Sequence, residues 1–342
     1  MASKKLKVVF FSRKPRALGN FSVETYFKMV SDELANEFDV SIVQMPYESK
    51  GLFPRLYNAI YASYKQGDIN HITGDIHYIA TLLEKKKTVL TVLDCGMVQQ
   101  TSGLKKAILK FFWFTVPAMK VRFITAISTA TKNELLRHIR FNSKKVAVVY
   151  VCVNEQFVNE PKVFNAAGTK KLLQIGTAPN KNIERLVDAI QGLDVELTII
   201  GKPNEATLVK LQKNGVKHII KDWQLTDAEI LQEYNNCDVL TFVSTIEGFG
   251  MPIIEANKVG RVVVTSNLSS MPEIAGSAAI FVDPFKVSSI RDGIVEAMSN
   301  ESKVNQLIEA GYLNAQRFEI TQIAAQYAAI YRRMKGIKKE RI

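Results

Sequence analysis

The sequence predicts an α/β protein with two parallel β-sheets, each covered by helices on both faces. Short apolar runs that suit buried strands alternate with helical stretches along the chain. The chain has 342 residues, which is more than an ordinary domain with a single hydrophobic core contains. This length suggests two domains of about 150 residues each. Residues 154–169 lack periodicity and separate two such series. We therefore expect an N-terminal domain at 1–160, a second domain at 168–319, and a C-terminal helix at 320–342.

The first half contains six predicted strands, each a short and mostly apolar run. They lie at residues 6–11, 40–43, 69–73, 88–93, 122–127 and 146–151. Between the first two strands, Val23, Phe27, Val30 and Leu34 recur at helical spacing and predict an amphipathic helix. The loop before this helix lacks the G-x-G-x-x-G pattern, so a dinucleotide site is not predicted there.

The second half repeats the alternation with five predicted strands. They lie at residues 172–175, 196–200, 239–243, 262–265 and 279–282. Thr226 and Glu229 predict a capping box at the start of one helix. A helix at 320–335 places Ile323, Tyr327, Ile330 and Tyr331 on one face, which indicates that it packs against a core.

The positive charge is concentrated in the first half. The net charge is +12, and residues 1–165 contain 24 Lys and Arg against 13 Asp and Glu, whereas the remainder contains 21 against 20. This asymmetry predicts an anionic partner such as a membrane surface or a phosphate. No nucleic-acid-binding motif accompanies it, so no nucleic acid is expected as a partner.

Cysteine usage and hydropathy predict a cytoplasmic protein. The three cysteines, Cys95, Cys152 and Cys237, are widely spaced and form no C-x-x-C pair, which is typical of buried thiols in a reducing compartment. The first apolar run is too short for a signal-peptide core, and no 18 apolar residues follow one another.

Residues 104–117 contain four consecutive aromatic residues flanked by lysines. Lys105, Lys106, Lys110 and Lys120 could contact lipid phosphates while the aromatic rings lie at headgroup depth. The alternative is a core helix that buries Phe111, Phe112 and Phe114. The charge of this half favours peripheral contact with the inner face of an anionic membrane.

Several loops of the first half follow predicted strands and lie where α/β sheets bind ligands. Asp94 follows the fourth strand and could orient an acceptor or remove its proton, or it could be a turn carboxylate. Arg13 and Arg16 could contact an anionic acceptor or lie in a solvated loop. His71 and His77 are not accompanied by other residues in a metal-ligand pattern, so both are expected to be structural.

The most informative stretch is residues 244–256, where a predicted buried strand leads into a helix. Gly248 and Gly250 let the backbone approach a ligand, and Pro252 suits the first turn of the helix. The N–H groups of the helix start favour an anion. Glu247 and Glu255, eight residues apart, bracket this start, and carboxylates orient sugar and ribose hydroxyls well.

This stretch resembles the glutamate-x7-glutamate motif of retaining glycosyltransferases with the GT-B fold, family four. Further motifs stand in the family's order at residues 171–182, 199–201, 234–238, 260–264 and 272–276. The resemblance covers nearly the whole second half. It implies a GT-B fold, in which two Rossmann-like domains face each other across a cleft and the C-terminal helix, 320–342, packs back on the first domain. It also implies a retaining, metal-independent hexosyltransferase without a cofactor. The donor would be a UDP- or GDP-sugar, and the acceptor a saccharide or lipid-linked saccharide of bacterial surface polysaccharide or lipopolysaccharide synthesis.

The resemblance also implies roles for individual residues. Glu255 would accept hydrogen bonds from the ribose hydroxyls, Glu247 would hold a sugar hydroxyl, and Lys181 would stabilise the departing diphosphate. The backbone positions expected at the donor are Gly176, Thr177, Gly248, Phe249, Gly250 and Met251, and Gly19 lies in the first-domain loop that approaches the diphosphate.

The sequence departs from the family pattern at three positions. Thr177 stands where the family has an arginine, Leu93 stands where it often has a histidine, and only Gly19 remains of two adjacent glycines. Two alternatives stay open. One is a nucleotide-sugar 2-epimerase, against which the two glutamates argue, and the other is a catalytically silent protein that binds sugar nucleotides or lipids.

Overall fold

The computed structural model describes residues 5–14, 22–96, 101–162 and 168–336, which form two compact α/β units. The first unit comprises residues 1–152 and 320–342, and the second comprises residues 153–319. Each unit contains a six-stranded parallel sheet with helices packed on it. The predicted fold class is confirmed.

The sheet of the first unit has the strand order β2-β1-β3-β4-β5-β6. Its strands are β1 (Lys7–Ser12), β2 (Asp39–Gln44), β3 (Ile69–Thr73), β4 (Thr88–Val92), β5 (Phe123–Ala126) and β6 (Val146–Val148). The helices are α1 (Ser22–Leu34), α2 (Leu52–Ser63), α3 (Gly103–Lys110), α4 (Val116–Lys120) and α5 (Thr129–His138). Every residue of β3, β4 and β5 is buried, including polar residues such as Asn70 and His71 of β3.

The sheet of the second unit has the order β12-β11-β10-β7-β8-β9. Its strands are β7 (Lys170–Ile175), β8 (Val195–Ile200), β9 (Lys217–Lys221), β10 (Val239–Phe242), β11 (Val262–Ser266) and β12 (Ile280–Val282). The helices are α6 (Ile183–Ile190), α7 (Glu205–Lys213), α8 (Asp227–Asn236), α9 (Met251–Val259), α10 (Met271–Ala275), α11 (Val287–Ser299) and α12 (Glu301–Gln316). The chain order reverses between β7 and β10, which makes this the switch point where such sheets bind ligands.

The predicted elements of the second unit are largely confirmed, with one omission. The side chains of Thr226 and Glu229 form both bonds of the predicted capping box on α8. Strand β9 was not predicted, because only Ile219 and Ile220 of its five residues are apolar. It is an edge strand that pairs with β8 alone, and four of its five residues are exposed.

A helix beyond the second unit, α13 (Ile320–Lys335), completes the core of the first unit. Its Tyr331 hydroxyl lies 2.6 Å from Nδ1 of His71, whose Nε2 lies 2.7 Å from the Thr91 hydroxyl. The Tyr327 hydroxyl lies 3.0 Å from that of Tyr26. Burial lowers the pKa of His71 to about 3, so this histidine is neutral and structural.

The division between the units lies at residue 152, earlier than the expected 160. Residues 153–162 bond to the second unit: Asn154 donates to Asp227 at 2.9 Å, and Lys162 lies 2.7 Å from Asp238. The expected linker at 154–169 is therefore partly packed structure, and its residues 163–167 lie outside the described residues. A backbone with no periodicity can still be fixed by such bonds, which a pattern in the sequence does not reveal.

The aromatic segment is divided between core and surface. Residues Phe111–Thr115 form a π-helical turn between α3 and α4. Trp113 and Phe114 are buried, whereas Phe111 and Phe112 are 48% and 57% exposed. The alternative of a core helix that buries Phe111 and Phe112 is therefore wrong for these two rings. No helix among the described residues is both long and apolar enough to span a bilayer.

Candidate active site

The loop from β10 to α9 has the backbone conformation that its glycines predicted. Gly250 precedes the first helical residue with φ 117° and ψ 51°, and a Cβ there would lie 3.1 Å from Cδ1 of Ile253. Pro252 lies in the first turn of the helix. The helix start directs the positive end of its dipole to the edge of the sheet. Pro252 has no N–H, and the Ile253 N–H donates to the Gly250 carbonyl at 3.0 Å.

Two serines of the β11–α10 loop bond to the loop between β10 and α9, which contains Glu247 and is called the glutamate loop below. The Ser269 hydroxyl donates to the Glu247 carbonyl at 2.7 Å, and the buried Ser270 hydroxyl donates to the Phe249 carbonyl at 2.6 Å. The Phe249 side chain is itself buried, in an edge-to-face contact with Phe318 at 5.7 Å. The loop therefore presents its backbone to a ligand, and the Phe249 ring anchors it.

Lys181 and Glu247 form an ion pair at this edge. Nζ of Lys181 lies 2.6 Å from Oε1 of Glu247, which also accepts a hydrogen bond from the Asn180 amide at 3.2 Å. The ammonium group lies 4.7 Å from the centre of the Phe242 ring, within cation–π distance. Both side chains of the pair are partly buried, so the pair is less screened by water than a surface pair.

Gly176 and Asn182 determine where Lys181 lies. A Cβ on Gly176, whose φ is 86°, would lie 2.9 Å from Cε of Lys181, so a larger residue would obstruct the lysine side chain. Asn182 adopts the left-handed conformation, and its amide donates to the carbonyls of Val243 and Pro284 at 3.1 and 2.7 Å. This buried amide ties the lysine turn to the ends of β10 and β12.

Thr177 follows Gly176 and packs against Gly201. A Cβ on Gly201, whose φ is 137°, would lie 2.7 Å from Cγ2 of Thr177. The position where the family has an arginine is thus occupied by a short side chain in close contact with the end of β8.

Glu255 lies in the second turn of α9 beside a buried tyrosine. The Tyr234 hydroxyl donates to Oε2 of Glu255 at 2.7 Å. Burial raises the pKa of Glu255 to about 7, although the bond from Tyr234 acts in the opposite direction, and Asp227 raises this pKa further. The carboxyl group of Glu255 therefore changes charge near neutral pH.

Two buried oxygens at the switch point have no hydrogen-bond partner within the described part of the chain. They are Oε1 of Gln174, in β7, and Oγ of Ser244, which follows β10. Buried polar atoms are rarely left unpaired in proteins unless water or a ligand bonds to them. These two oxygens could therefore form hydrogen bonds with a polar group of a ligand at the switch point.

The predicted residues of the first half lie in the first unit. Asp94 accepts a hydrogen bond from the Gly96 N–H at 2.8 Å, as a turn carboxylate does. Arg13 forms an ion pair with Glu24 at 2.7 Å and lies 3.6 Å from Asp75. Nδ1 of the buried His77 bonds to the Trp113 carbonyl at 2.8 Å. Gly19 and Arg16 lie outside the described residues.

The structure thus brings most of the predicted donor residues to one edge of the second sheet. Gly176, Thr177, Lys181 and Glu247 lie together. Glu255 lies on α9, the helix that follows the glutamate loop. Sequence reasoning missed the contributions of Tyr234, Phe242 and Ser270. A tyrosine 21 residues before Glu255 carries no spacing signal, and the other two resemble ordinary strand and loop residues.

Comparison with known proteins identifies a family for this region. Residues 157–314 match the model of the family described as glycosyl transferases group 1. The O-antigen chain mannosyltransferase B of Escherichia coli is 24% identical over 233 residues, and the match covers 62% of this chain and 60% of that enzyme. The serotype-specific mannosyltransferase WbdA of the same species is 26% identical over 206 residues, 54% of this chain and 25% of its own length.

A solved structure shares the fold of the whole chain. The structure of Anabaena HepE in complex with UDP and glucose superposes with a TM-score of 0.76 at 13% identity, and covers 95% of this chain and 99% of that one. Residues 157–314 therefore match the group 1 glycosyltransferases, and the likeness to HepE shows that the chain has the GT-B fold.

Proposed function

We propose that the protein is a retaining, metal-independent hexosyltransferase. It moves a hexose from a UDP- or GDP-sugar to a saccharide or lipid-linked saccharide acceptor in surface polysaccharide or lipopolysaccharide synthesis. The observation that carries the proposal is the contact between Lys181 and Glu247 beside the start of α9. A cation, a sugar-binding carboxylate and the positive end of a helix dipole are the groups that a nucleotide diphosphate sugar requires at its reacting end.

In this proposal Lys181 acts on the leaving group. The anomeric carbon–oxygen bond breaks, and its electron pair goes to the diphosphate. The acceptor hydroxyl bonds to the anomeric carbon, and its proton passes to the departing phosphate oxygen or to a carboxylate. The ammonium group and the N–H groups at the start of α9 stabilise the charge that builds on the diphosphate. Glu247 binds a sugar hydroxyl, and its ion pair keeps the ammonium group at the reacting end.

Glu255 would bind the ribose of the donor. One of its oxygens accepts the Tyr234 hydroxyl, which leaves the other to accept ribose hydroxyls. The names of the two curated relatives indicate mannose as the transferred sugar, and the HepE complex holds UDP and glucose. A donor screen should therefore include both UDP-sugars and GDP-sugars.

In this proposal, residues of the first unit bind the acceptor. Asp94 remains a candidate for orienting the acceptor hydroxyl or removing its proton, since its loop follows β4. The exposed Phe111 and Phe112 and the neighbouring lysines support peripheral contact with the cytoplasmic face of an anionic membrane, where a lipid-linked acceptor would be presented.

The donor class can be tested by thermal shift with UDP-glucose, GDP-mannose and ADP-glucose. A ligand that binds only the folded state raises its melting temperature, with a stabilisation of about 2.7 kcal/mol at a hundred times Kd. We expect one nucleotide class to raise the melting temperature of the wild type. The shift should be lost in Glu255→Ala, since this variant lacks the ribose-binding carboxylate.

Glu301→Ala is the matched control, because Glu301 is an exposed carboxylate in the first turn of α12. It should keep the full shift. A shift that survives Glu255→Ala would place the nucleotide elsewhere, and no shift with any donor would favour a protein that binds neither UDP- nor GDP-sugars.

Donor binding should depend on pH through Glu255. The ionised carboxylate accepts hydroxyl protons, so the KM for the donor should rise as the pH falls through the pKa of about 7, by about tenfold per pH unit well below it. Tyr234→Phe removes the bond that lowers this pKa, so the transition should move to higher pH, with little change in kcat at saturating donor. KM–pH profiles of both proteins measure the shift.

Tyr312→Phe provides the comparison, because its hydroxyl bonds to Asn159 at 2.7 Å and not to Glu255. Its profile should match that of the wild type. A Tyr234→Phe profile that also coincides with the wild type would show that the tyrosine does not set the ionisation of Glu255.

A further inference from the structure

The loop between β8 and α7 contains an exposed lysine, Lys202, that the proposed reaction does not use. It comes two residues after Ile200, the last residue of β8. Its side chain forms no ion pair or hydrogen bond with any residue that the structure describes. Exposed lysines are ordinary on protein surfaces, so the position of Lys202 decides whether it has a role.

Lys202 lies beside the turn that contains the predicted donor residues Gly176 and Thr177. The Gly176 N–H donates to the Ile200 carbonyl at 2.8 Å, and Thr177 packs against Gly201, the residue before Lys202. Strands β7 and β8 pair in parallel, and paired strands lie about 4.8 Å apart. Their carboxyl ends therefore share one edge, and the flexible four-carbon stem of a lysine can reach a ligand bound over this turn.

The backbone on both sides of Lys202 is fixed. The Gly201 N–H donates to the Lys221 carbonyl at 2.9 Å. On the other side, the Asn204 side chain caps α7 by accepting the Thr207 N–H at 2.8 Å. Contact with a ligand would therefore order little more than the lysine side chain itself, which keeps its entropic cost small.

Two other lysines at this edge are already paired with carboxylates. Lys181 lies 2.6 Å from Glu247, and Lys221 lies 3.1 Å from Glu233. Each pair is neutral overall, whereas a diphosphate bears a negative charge on each phosphate and gains more as the sugar leaves. Lys202 supplies positive charge that no carboxylate among the described residues balances in an ion pair.

Arg185 is a less suitable second cation, because its guanidinium already has two partners. It donates to Oδ1 of Asn182 at 2.8 Å and lies 5.5 Å from the centre of the exposed Phe285 ring, within cation–π distance. Arg185 would have to give up these contacts to bind a phosphate. Lys202 would give up no contact with a described residue.

We propose that Lys202 binds the diphosphate of the nucleotide sugar and acts with Lys181 on the leaving group. Lys181 is held at the reacting end by Glu247, and Lys202 neutralises the negative charge that this neutral ion pair leaves. The contact strengthens as the anomeric carbon–oxygen bond breaks, because charge then builds on the diphosphate. This inference rests on the proposed function, since it requires a nucleotide diphosphate sugar on the second unit.

The test is the dissociation constant of UDP and of GDP for the wild type, Lys202→Gln and Lys202→Arg. For the nucleotide that the wild type binds, Lys202→Gln should weaken binding by about tenfold at low salt, since it removes a charge-assisted contact. Lys202→Arg keeps the charge and should stay within about threefold of the wild type. The loss in Lys202→Gln should shrink as the salt concentration rises from about 0.05 M to about 0.5 M, because salt screens an exposed charge. A purely structural role of Lys202 would give no such dependence on salt.

Lys213→Gln is the matched control. Lys213 is exposed in the last turn of α7 and likewise forms no ion pair with a described residue. This variant should bind the nucleotide like the wild type, and melting temperatures without ligand establish that all variants are folded.

The inference alone is overturned if the wild type binds UDP or GDP and Lys202→Gln binds it equally well. It is also overturned if Lys202→Arg or Lys213→Gln loses as much binding as Lys202→Gln, or if the loss does not change with salt. A wild type that binds neither nucleotide would contradict the proposed function as well, so the two failures are distinguishable.

Discussion

Lys181→Met should lower kcat by about 10²–10³-fold while the protein remains folded. Methionine keeps much of the aliphatic length of lysine, but it removes the ammonium group that lies 2.6 Å from Glu247. Removing one preorganised group that stabilises developing charge typically costs a factor of this size. The measurement is steady-state transfer with the donor identified by thermal shift, in buffer containing EDTA so that the proposed metal independence is tested as well.

Lys210→Met is a close control for this substitution. Its ammonium group also lies 2.6 Å from a carboxylate, that of Asp188, in the same unit but on helices α7 and α6. Its kcat should remain within about twofold of the wild type, because this partly buried ion pair contains none of the predicted donor residues. Equal losses in the two variants would point to general damage, and full activity of Lys181→Met would remove Lys181 from the mechanism.

Tyr331→Ala should lower the free energy of unfolding of the first unit by about 3–5 kcal/mol. Truncation of a large buried aromatic side chain loses its transfer free energy and leaves a cavity. It also removes the hydroxyl that lies 2.6 Å from Nδ1 of the buried His71 and leaves that nitrogen without this partner. Urea unfolding followed by tryptophan fluorescence is suitable, because Trp113 lies in the core of the first unit.

Arg332→Ala tests whether this effect is specific to the buried face of α13. Arg332 is the next residue on the helix and forms an ion pair with Glu37 near the surface. Its loss should cost less than about 1 kcal/mol. If Tyr331→Ala is no more destabilising than Arg332→Ala, the helix does not contribute to the core as its contacts indicate.

The sequence was sufficient to predict the strands that are mostly apolar and the helices whose apolar residues recur at helical spacing. Apart from β9, the strands of both sheets were predicted to within a few residues, because buried parallel strands are mostly apolar. The loop between Glu247 and Glu255 was also predictable. Gly250 adopts a positive φ that few other residues tolerate, and Pro252 has a fixed φ that suits the first turn of a helix.

Other features depend on contacts between residues that are distant in sequence. Tyr234 reaches Glu255 because α8 and α9 pack together, and no local pattern encodes that pairing. Phe111 and Phe112 are exposed and Trp113 and Phe114 are buried because of which side of the π-helical turn packs on the first unit. Four consecutive aromatic residues carry no apolar–polar pattern, so the sequence did not indicate which of them would be buried.

The position of α13 also has a consequence for protein synthesis. Translation delivers β1 to β6 first, but the helix that covers His71 and Tyr26 emerges only after residues 153–319 have been made. The second unit is continuous in sequence and can fold on the ribosome as soon as it is complete. The first unit must wait with part of its core uncovered until α13 arrives. The unit synthesised first is therefore the one that finishes folding last.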